Sequence, residues 1–409
     1  MRAIIIAVGD ELLSGAAIDT NSAYLSEQLA ARGIAAVAHW TVGDDEQAVA
    51  DAVARAAGSA EIVVVTGGLG PTADDLTRQG LARASGAELV LDEKSLAQIE
   101  NFFRIRGRQM QPINRIQAMI PAGAEALQNT SGTAPGIASR LGNARVFVLP
   151  GVPHEMKTMF EAQVAPQLPQ LTGVIVSRAI HTFGLGESDV AAKIADLMVR
   201  DANPLIGVTV EAGLVTVRMA SRAESSQAAR RQADAVAGEI KKRLGQVVIG
   251  EDDATLAWAV GELLRRRGQR LATSESCTGG LVGQLITSVP GSSDYYVGGV
   301  VAYADEVKHD SLGVDRQLIA ARGAVSEEVA AAMARGCRVK FRSDWAIGVT
   351  GIAGPRGGTD EKPVGLVYVA IAGPAGVQVY RQIFPGTREV VRMRTALAAI
   401  NYLRLALLG

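Results

Sequence analysis

The sequence predicts an α/β protein of three domains, and three observations carry that prediction. Over residues 1–170, short and fully apolar runs such as Arg2-Ala-Ile-Ile-Ile-Ala-Val8 and Glu61-Ile-Val-Val-Val-Thr66 alternate with helical patterns. Such alternation marks a parallel sheet covered on both faces. Composition changes after Pro166-Gln-Leu-Pro-Gln-Leu-Thr-Gly173, and residues 171–251 read as a small α+β module. A second helix and strand alternation then fills residues 252–409. A chain of 409 residues is long enough for each part to bury its own core.

Element by element, the strand at 2–8 is followed by a helix around Ser22-Ala-Tyr-Leu-Ser-Glu-Gln-Leu-Ala-Ala-Arg-Gly33. Next come a strand, Ala35-Ala-Val-Ala-His-Trp-Thr-Val42, and a helix through Glu46 to Gly58. The strand at 61–66 runs into a glycine-rich turn and a helix beginning near Ala73. Asn143 to Leu149 is another buried strand, which ends in Pro-Gly and enters a helix. The middle module reads β (174–184), α (187–199), β (205–213), β (214–223) and a long helix (225–245). That helix carries Arg230, Arg231, Lys241, Lys242 and Arg243, mixed with Asp234 and Glu239, a pattern that suits a solvated face better than a nucleic-acid face. The last part opens with the helix Ala254 to Gly268 and reaches the junction Ser274-Glu-Ser-Cys-Thr-Gly-Gly280. A strand (298–304), a helix (326–341), strands at 344–351 and 365–373, and a final helix from Arg388 complete it.

Composition excludes several classes. The net charge of −1 gives no basic excess for nucleic acid, and no run of 18 apolar residues suggests a membrane span. The opening segment reads as a first strand, with acidic residues directly after it, and not as a secretory signal. The two cysteines, Cys277 and Cys337, cannot build a disulfide framework, so a reduced, cytoplasmic protein is expected. The histidines at 39, 154, 181 and 309 have no zinc-ligand spacing with them.

The Ser274–Gly280 junction is the sharpest chemical signal. It places Ser276 and Cys277 where a strand would turn into a helix N-terminus, whose unpaired N–H groups can hold a developing oxyanion. Lys308 is the only lysine in the segment 301–313, and a desolvated lysine can act as base to a serine. The residues alone also allow Ser276 to be a helix cap and Lys308 to be solvated. In the first domain, Gly67, Gly68 and Gly70 let a ligand approach the backbone, and the next helix N-terminus favours phosphate. Asp74 and Asp75 read either as helix-dipole partners or as ligands of a divalent cation. Neither a P-loop lysine nor a dinucleotide GxGxxG is present there. A second acidic turn, Gly9-Asp10-Glu11, would open into the same crevice at the strands' carboxyl ends, with Ser131–Gly136 and Pro150–Pro153.

Taken in order, Val8–Gly15, Asp19–Leu25, Thr66–Asp75, Ser131–Gly136 and Pro150–Met156 resemble the CinA family (competence/damage-inducible protein A). Glu275–Gly280, Tyr303 to Lys308, Gly351–Pro355 and Phe384–Glu389 extend the resemblance over essentially the whole chain. The resemblance implies a MogA/MoaB-like first domain, a KH-like middle domain and a nicotinamide-nucleotide amidase domain. It implies a bifunctional enzyme of pyridine-nucleotide salvage, hydrolysing the amide of nicotinamide mononucleotide (NMN) and cleaving ADP-ribose with a divalent metal (Mg, Mn or Co). No cofactor is expected for the amidase, and a homodimer without membrane or direct nucleic-acid binding is expected.

On this reading Ser276 is the nucleophile, Lys308 its base, and Tyr303 a third catalytic residue. Glu275, Thr278, Gly279, Gly280, Thr350, Gly351 and Arg388 would serve the oxyanion and substrate. Cys277 is the competing nucleophile, and His309 is not expected to share the lysine's role. In the first domain Gly9, Asp10, Glu11, Asn21, Ser22, Thr66, Gly67, Gly68, Gly70, Gly151 and Pro153 would bind nucleotide, and Asp74 and Asp75 metal. The middle module has no GxxG clamp of the RNA-binding kind, and Ala212-Gly-Leu-Val215 is expected to be a turn. Two rivals stay open: a first domain that only binds a molybdopterin-like or nucleotide ligand, and an interaction protein of competence or DNA damage.

Overall fold

The computed structural model describes every residue except Gln170 and Thr172. The expected boundary between residues 170 and 171 therefore falls at a residue outside those described. Two compact units form, Met1–Ser177 with Ala220–Asp234, and Arg178–Met219 with Ala235–Gly409. The three modules read from the sequence reappear as three main sheets.

The first sheet has the order β2-β1-β3-β8-β7-β6. Its strands are β1 (Arg2–Val8), β2 (Ala35–Val42), β3 (Ile62–Thr66), β6 (Glu125–Leu127), β7 (Gly136–Leu141) and β8 (Ala144–Leu149), with β4 (Leu89–Leu91) and β5 (Met119–Pro121) paired separately. Strands β2, β1, β3 and β8 run parallel, and β7 and β6 are antiparallel additions. The period-two geometry explains why these runs are apolar throughout. Ile4, Ile6 and Val8 pack with Val49 and Val53 on one face, while Ala3 and Ile5 pack with Leu25 and Leu29 on the other. Both faces are covered, so neither can be polar.

The second sheet, β10-β11-β9-β12, comprises β9 (Val174–Phe183), β10 (Leu205–Glu211), β11 (Leu214–Ala223) and β12 (Val248–Glu251). Ala212 and Gly213 both have positive φ, 50° and 88°, so the expected turn at 212–215 is a tight hairpin between β10 and β11. The helix expected over 187–199 is shorter, Glu187–Lys193, and gives way to a single 3₁₀ turn.

The third sheet, β14-β13-β15-β16-β17, positions the second candidate site. Strands β13 (Leu271–Glu275), β14 (Tyr296–Val301) and β15 (Trp345–Gly351) are parallel; β16 (Leu366–Gly373) and β17 (Gly376–Ile383) are antiparallel. Edge strand β17 was not anticipated, although Val-Gln-Val-Tyr-Arg-Gln-Ile alternates as an edge strand should. Helix starts follow capping chemistry: Thr255, Ser326 and Thr387 each accept a bond from the backbone N–H three residues on. Among the described residues no helix is long and apolar enough to cross a membrane.

One face of this sheet is built from small residues. Ala272, Ala346, Ala370 and Ala372 pack under the helix Glu327–Phe341. Gly348 lies closest, and a Cβ there would meet the Ala330 carbonyl oxygen at 2.7 Å and the Ala334 nitrogen at 2.8 Å. Backbone cannot rotate away as a side chain can. Gly348→Ala is therefore expected to destabilise the protein by about 1–3 kcal/mol, the usual range for overpacking. Urea unfolding of the two proteins, compared at equal m-value, checks this; equal midpoints would show that the helix shifts freely.

Candidate functional site

In the second unit, β14, β13 and β15 end side by side, so their carboxyl ends share one edge. Strand β13 ends at Glu275, whose carbonyl accepts the Ala302 N–H at 2.7 Å, and the next N–H, of Ser276, donates to Val349 O at 2.9 Å. Ser276 is thus clamped between both neighbours of β13. It is 9% exposed. The helix that follows, Leu281–Thr287, starts five residues later with Gly280 as its cap (φ 94°), so Ser276 is neither a helix cap nor at the helix terminus.

Glu275 takes the capping role, and this corrects its expected place in substrate binding. Its buried carboxylate accepts N–H bonds from Gly280 (3.0 Å), Val282 (3.0 Å) and Gly283 (2.8 Å). Both oxygens are used, and the helix terminus they satisfy is not open to an anion. Gly279 and Gly280 drop out as oxyanion donors for the same reason, since Gly279 N–H donates to Ser276 O at 3.0 Å. Among the described residues the N–H groups of Cys277 and Thr278 meet no oxygen acceptor; they lie against the Cys277 sulfur. Thr278 Oγ1 is buried without a partner.

The Cys277 thiol sits in the apolar core, and burial pushes its pKa up to about 12. A thiol so held stays protonated at neutral pH and is a poor nucleophile. Lys308 is buried on the helix Asp305–Leu312, where its Nζ donates to Tyr303 O (3.2 Å) and Asp305 Oδ1 (3.1 Å). No hydrogen bond joins Lys308 to Ser276 among the described residues. A neutral lysine amine has two N–H donors, and these two acceptors would take both. His309 turns elsewhere and bonds Val314 O at 2.8 Å.

Arg388 opens the final helix, Arg388–Leu408, and donates to Gly354 O and to the Tyr303 hydroxyl, both at 2.9 Å. It is exposed, close enough to act electrostatically on Cys277, and has further donors for an anion. Thr350 and Gly351 are engaged within the protein. Thr350 is buried and donates to Ala324 O, and a Cβ on Gly351 would meet Val367 and Leu366 O.

In the first unit, β1, β3 and β8 end around a cavity of about 420 Å³. Gly9, Glu11, Gly67, Gly68, Gly70, Gly151, Asp74 and Asp75 line it as expected, joined by Asp44, Gln117, Thr133 and Glu155. Asn21, Thr66, Ser22, Asp10 and Pro153 stand behind that lining. Asn21 Nδ2 ties Thr66 Oγ1 (3.0 Å) to Gly151 O (2.8 Å), Ser22 is buried, and Pro153 opens a helix at its first position. Asp10 and Asp44 clasp each other's backbone, Asp10 N–H to Asp44 Oδ2 at 2.9 Å and Asp44 N–H to Asp10 Oδ1 at 3.1 Å.

The glycine-rich turn is cross-linked from within. The helix begins at Thr77 and not near Ala73, so Asp74 and Asp75 precede it and do not serve its dipole. Asp75 accepts from Gly70 N–H (2.7 Å) and from Thr72 N–H (2.8 Å) and hydroxyl, which makes it a staple of the turn. Thr77 Oγ1 donates to Gly67 O at 2.9 Å, and buried Arg78 donates to Leu69 O and Gly70 O. Burial lowers the Arg78 guanidinium to about 10. Asp74 is exposed, and nearby hydrogen-bond donors, Thr72 first, hold its carboxyl below its usual pKa. Asp44 is raised by burial first, then by the charges of Asp10, Glu11 and Asp74. Among the described residues no three histidine, cysteine or carboxylate side chains are gathered as a metal cage.

Family comparison decides the assignment. Residues 4–170 match the model "Probable molybdopterin binding domain", 177–250 the "Damage-inducible protein CinA KH domain" and 253–407 the "CinA C-terminal domain". A CinA-like protein of Geobacter sulfurreducens is 43% identical over 414 residues, covering 100% of both chains. The chain belongs to the CinA family. A CinA-like protein of Parasynechococcus marenigrum is 42% identical over 411 residues, 99% of this chain and 98% of its own. Two solved structures match part of this CinA chain: CinA of Thermoplasma acidophilum, titled as of unknown function (34% identity, TM-score 0.39, 41% of this chain, 98% of its own), and the competence/damage inducible protein of Agrobacterium tumefaciens (38%, 0.37, 38% and 94%).

The crowding at Asp44 gives a pH prediction. An acid whose pKa is raised by folding loses stability as pH climbs from its unfolded value through its folded one, and the loss persists above. Asp44→Asn keeps an oxygen for the Asp10 N–H and removes the charge. It should melt higher than the parent at pH 7 and lose that advantage when both are acidified below the carboxylate range. A lower melting temperature at pH 7 would mean that the carboxylate itself holds the clasp.

Proposed function

We propose that this CinA protein hydrolyses the carboxamide of nicotinamide mononucleotide to the acid and ammonia in its C-terminal site. The observation that supports the reading most is Ser276, clamped at the end of β13, with the Cys277 and Thr278 N–H groups beside it, which no oxygen accepts among the described residues, and Arg388 nearby. In the proposed reaction Ser276 Oγ bonds to the amide carbon while its proton passes to Lys308. The developing oxyanion faces the two N–H groups. Lys308 returns the proton to the amide nitrogen, the C–N bond breaks and ammonia leaves. Water then attacks the ester, gives a proton back to Ser276 Oγ by the same route, and frees the carboxylate. Arg388 suits the nucleotide phosphate, and Tyr303 is held beside it.

For the N-terminal cleft we propose metal-dependent cleavage of the pyrophosphate of ADP-ribose. The donor set is of hard oxygens, and a magnesium-type cation is commonly held by one or two carboxylates together with substrate phosphates. Asp74 and Asp44 would hold it, and the ion would neutralise phosphate charge in an acidic cleft. A cleft that only binds its nucleotide or molybdopterin-like ligand is the second reading; the lack of three gathered ligands among the described residues favours it. Incubation with ADP-ribose and Mg, Mn or Co separates the two by whether the pyrophosphate is cut. Asp74→Ala should reduce that cleavage and leave NMN hydrolysis intact, and equal loss of both in folded protein would point to one shared site.

Ser276→Ala is expected to abolish ammonia release from NMN, while Cys277→Ala keeps a substantial fraction and iodoacetamide at neutral pH leaves the enzyme active. A dead Cys277→Ala beside an active Ser276→Ala would reverse the nucleophile. Lys308→Arg should be nearly as damaging as Lys308→Ala, because arginine keeps the charge but cannot give up a proton. Rescue by arginine would leave Lys308 a purely ionic role.

A further inference from the structure

The loop that carries Ser276 is fixed from a second side by the final helix. Arg392 lies one turn beyond Arg388, and its Nη2 donates to Thr278 O at 2.8 Å across 114 residues of sequence. Leu281 N–H reaches the same carbonyl at 3.3 Å, a longer bond. Arg392 also borders Gly279, whose φ is +61°; a Cβ there would lie 3.5 Å from Nη2. The peptide joining Thr278 to Gly279 is therefore held at both ends, its carbonyl by Arg392 and its N–H by Ser276 O. That fixed plane closes the short turn of which the Cys277 and Thr278 N–H groups are part.

We propose that Arg392 is a positioning residue for amide hydrolysis, acting through the Thr278 carbonyl to aim the oxyanion donors at the Ser276 adduct. The proposal rests on the amidase reading given above. It differs from a phosphate-binding role, which the neighbouring Arg388 fits better because it is the more exposed of the two. Mispointing a donor harms the transition state far more than the ground state, so the effect belongs in kcat and not in KM. Loss of one such donor in a hydrolase lowers kcat by about 10²–10³-fold.

The test is steady-state ammonia release from NMN by the full chain, its Arg392→Met and its Arg392→Lys variants, each checked for an unchanged melting temperature. Arg392→Met should lower kcat by at least ~100-fold with KM within ~3-fold, the lower end of a lost oxyanion donor. Arg392→Lys, which can still donate one bond to Thr278 O, should regain at least a tenth of the parental kcat, with the same pH profile. A raised KM at parental kcat would assign Arg392 to phosphate instead, and unchanged constants in both variants would remove it from the mechanism. A parent chain that releases no ammonia overturns the amidase reading and this assignment together, whereas an active parent with an indifferent Arg392→Met overturns only the latter.

Discussion

A buried carboxylate, Glu275, organises the loop on which the proposed C-terminal chemistry depends. Hydrogen bonds to charged groups are each worth about 1.5–3 kcal/mol, and this carboxylate accepts three from the turn and first residues of one short helix. The chain must leave β13, turn through Cys277–Gly280 and enter the helix with no side-chain cap of its own. Glu275 closes that turn by satisfying the helix N–H groups that an N-cap serine would otherwise take. Ser276 is then released from capping and presented at the sheet edge. Among the described residues of that turn, the Cys277 and Thr278 N–H groups alone meet no oxygen acceptor, and in the proposed reaction they would face the oxyanion beside Ser276.

The N-terminal cleft works on the opposite electrostatic principle. Its walls carry Glu11, Asp44, Asp74, Asp75 and Glu155, and buried Arg78 beneath the glycine turn bonds the Leu69 and Gly70 carbonyls through Nη2. An anion cannot enter such a cleft cheaply unless positive charge comes with it. Asp44, raised by burial and by its acidic neighbours, records the repulsion. The glycine turn itself is rigid, because Asp75, Thr77 and Arg78 bond its backbone from three directions. A stiff turn with an acidic rim suits a phosphate–metal pair better than a bare phosphate.

Much of this was legible in the sequence, for identifiable reasons. Apolar strands two residues in period and helices opened by Thr255, Ser326 and Thr387 report themselves locally. The Ser276 junction was visible as a strand end before a glycine pair, but spacing alone read it equally well as a helix cap, and only the family resemblance singled out the hydroxyl. The partnerships were not. Glu275 reads as a site acid, since nothing local reveals that its carboxylate folds forward onto residues five to eight places on. Asp44 and Arg392 were missed because their partners lie 34 and 114 residues away, at distances only the sheet order brings together. The helix start at Thr77 was misplaced for a related reason: Asp75 holds Gly70 and Thr72, and that staple delays the helix by four residues.

The central claim is that the Glu275 carboxylate, by capping Gly280, Val282 and Gly283, holds Ser276 in its working position. Turnover of NMN by Glu275→Gln tests it directly. Glutamine keeps the shape but offers a single acceptor oxygen, so it cannot serve all three N–H groups. The account predicts a folded protein whose kcat falls by at least ~10-fold, the cost of about 1.4 kcal/mol at the transition state. Full turnover by a folded Glu275→Gln protein would contradict it.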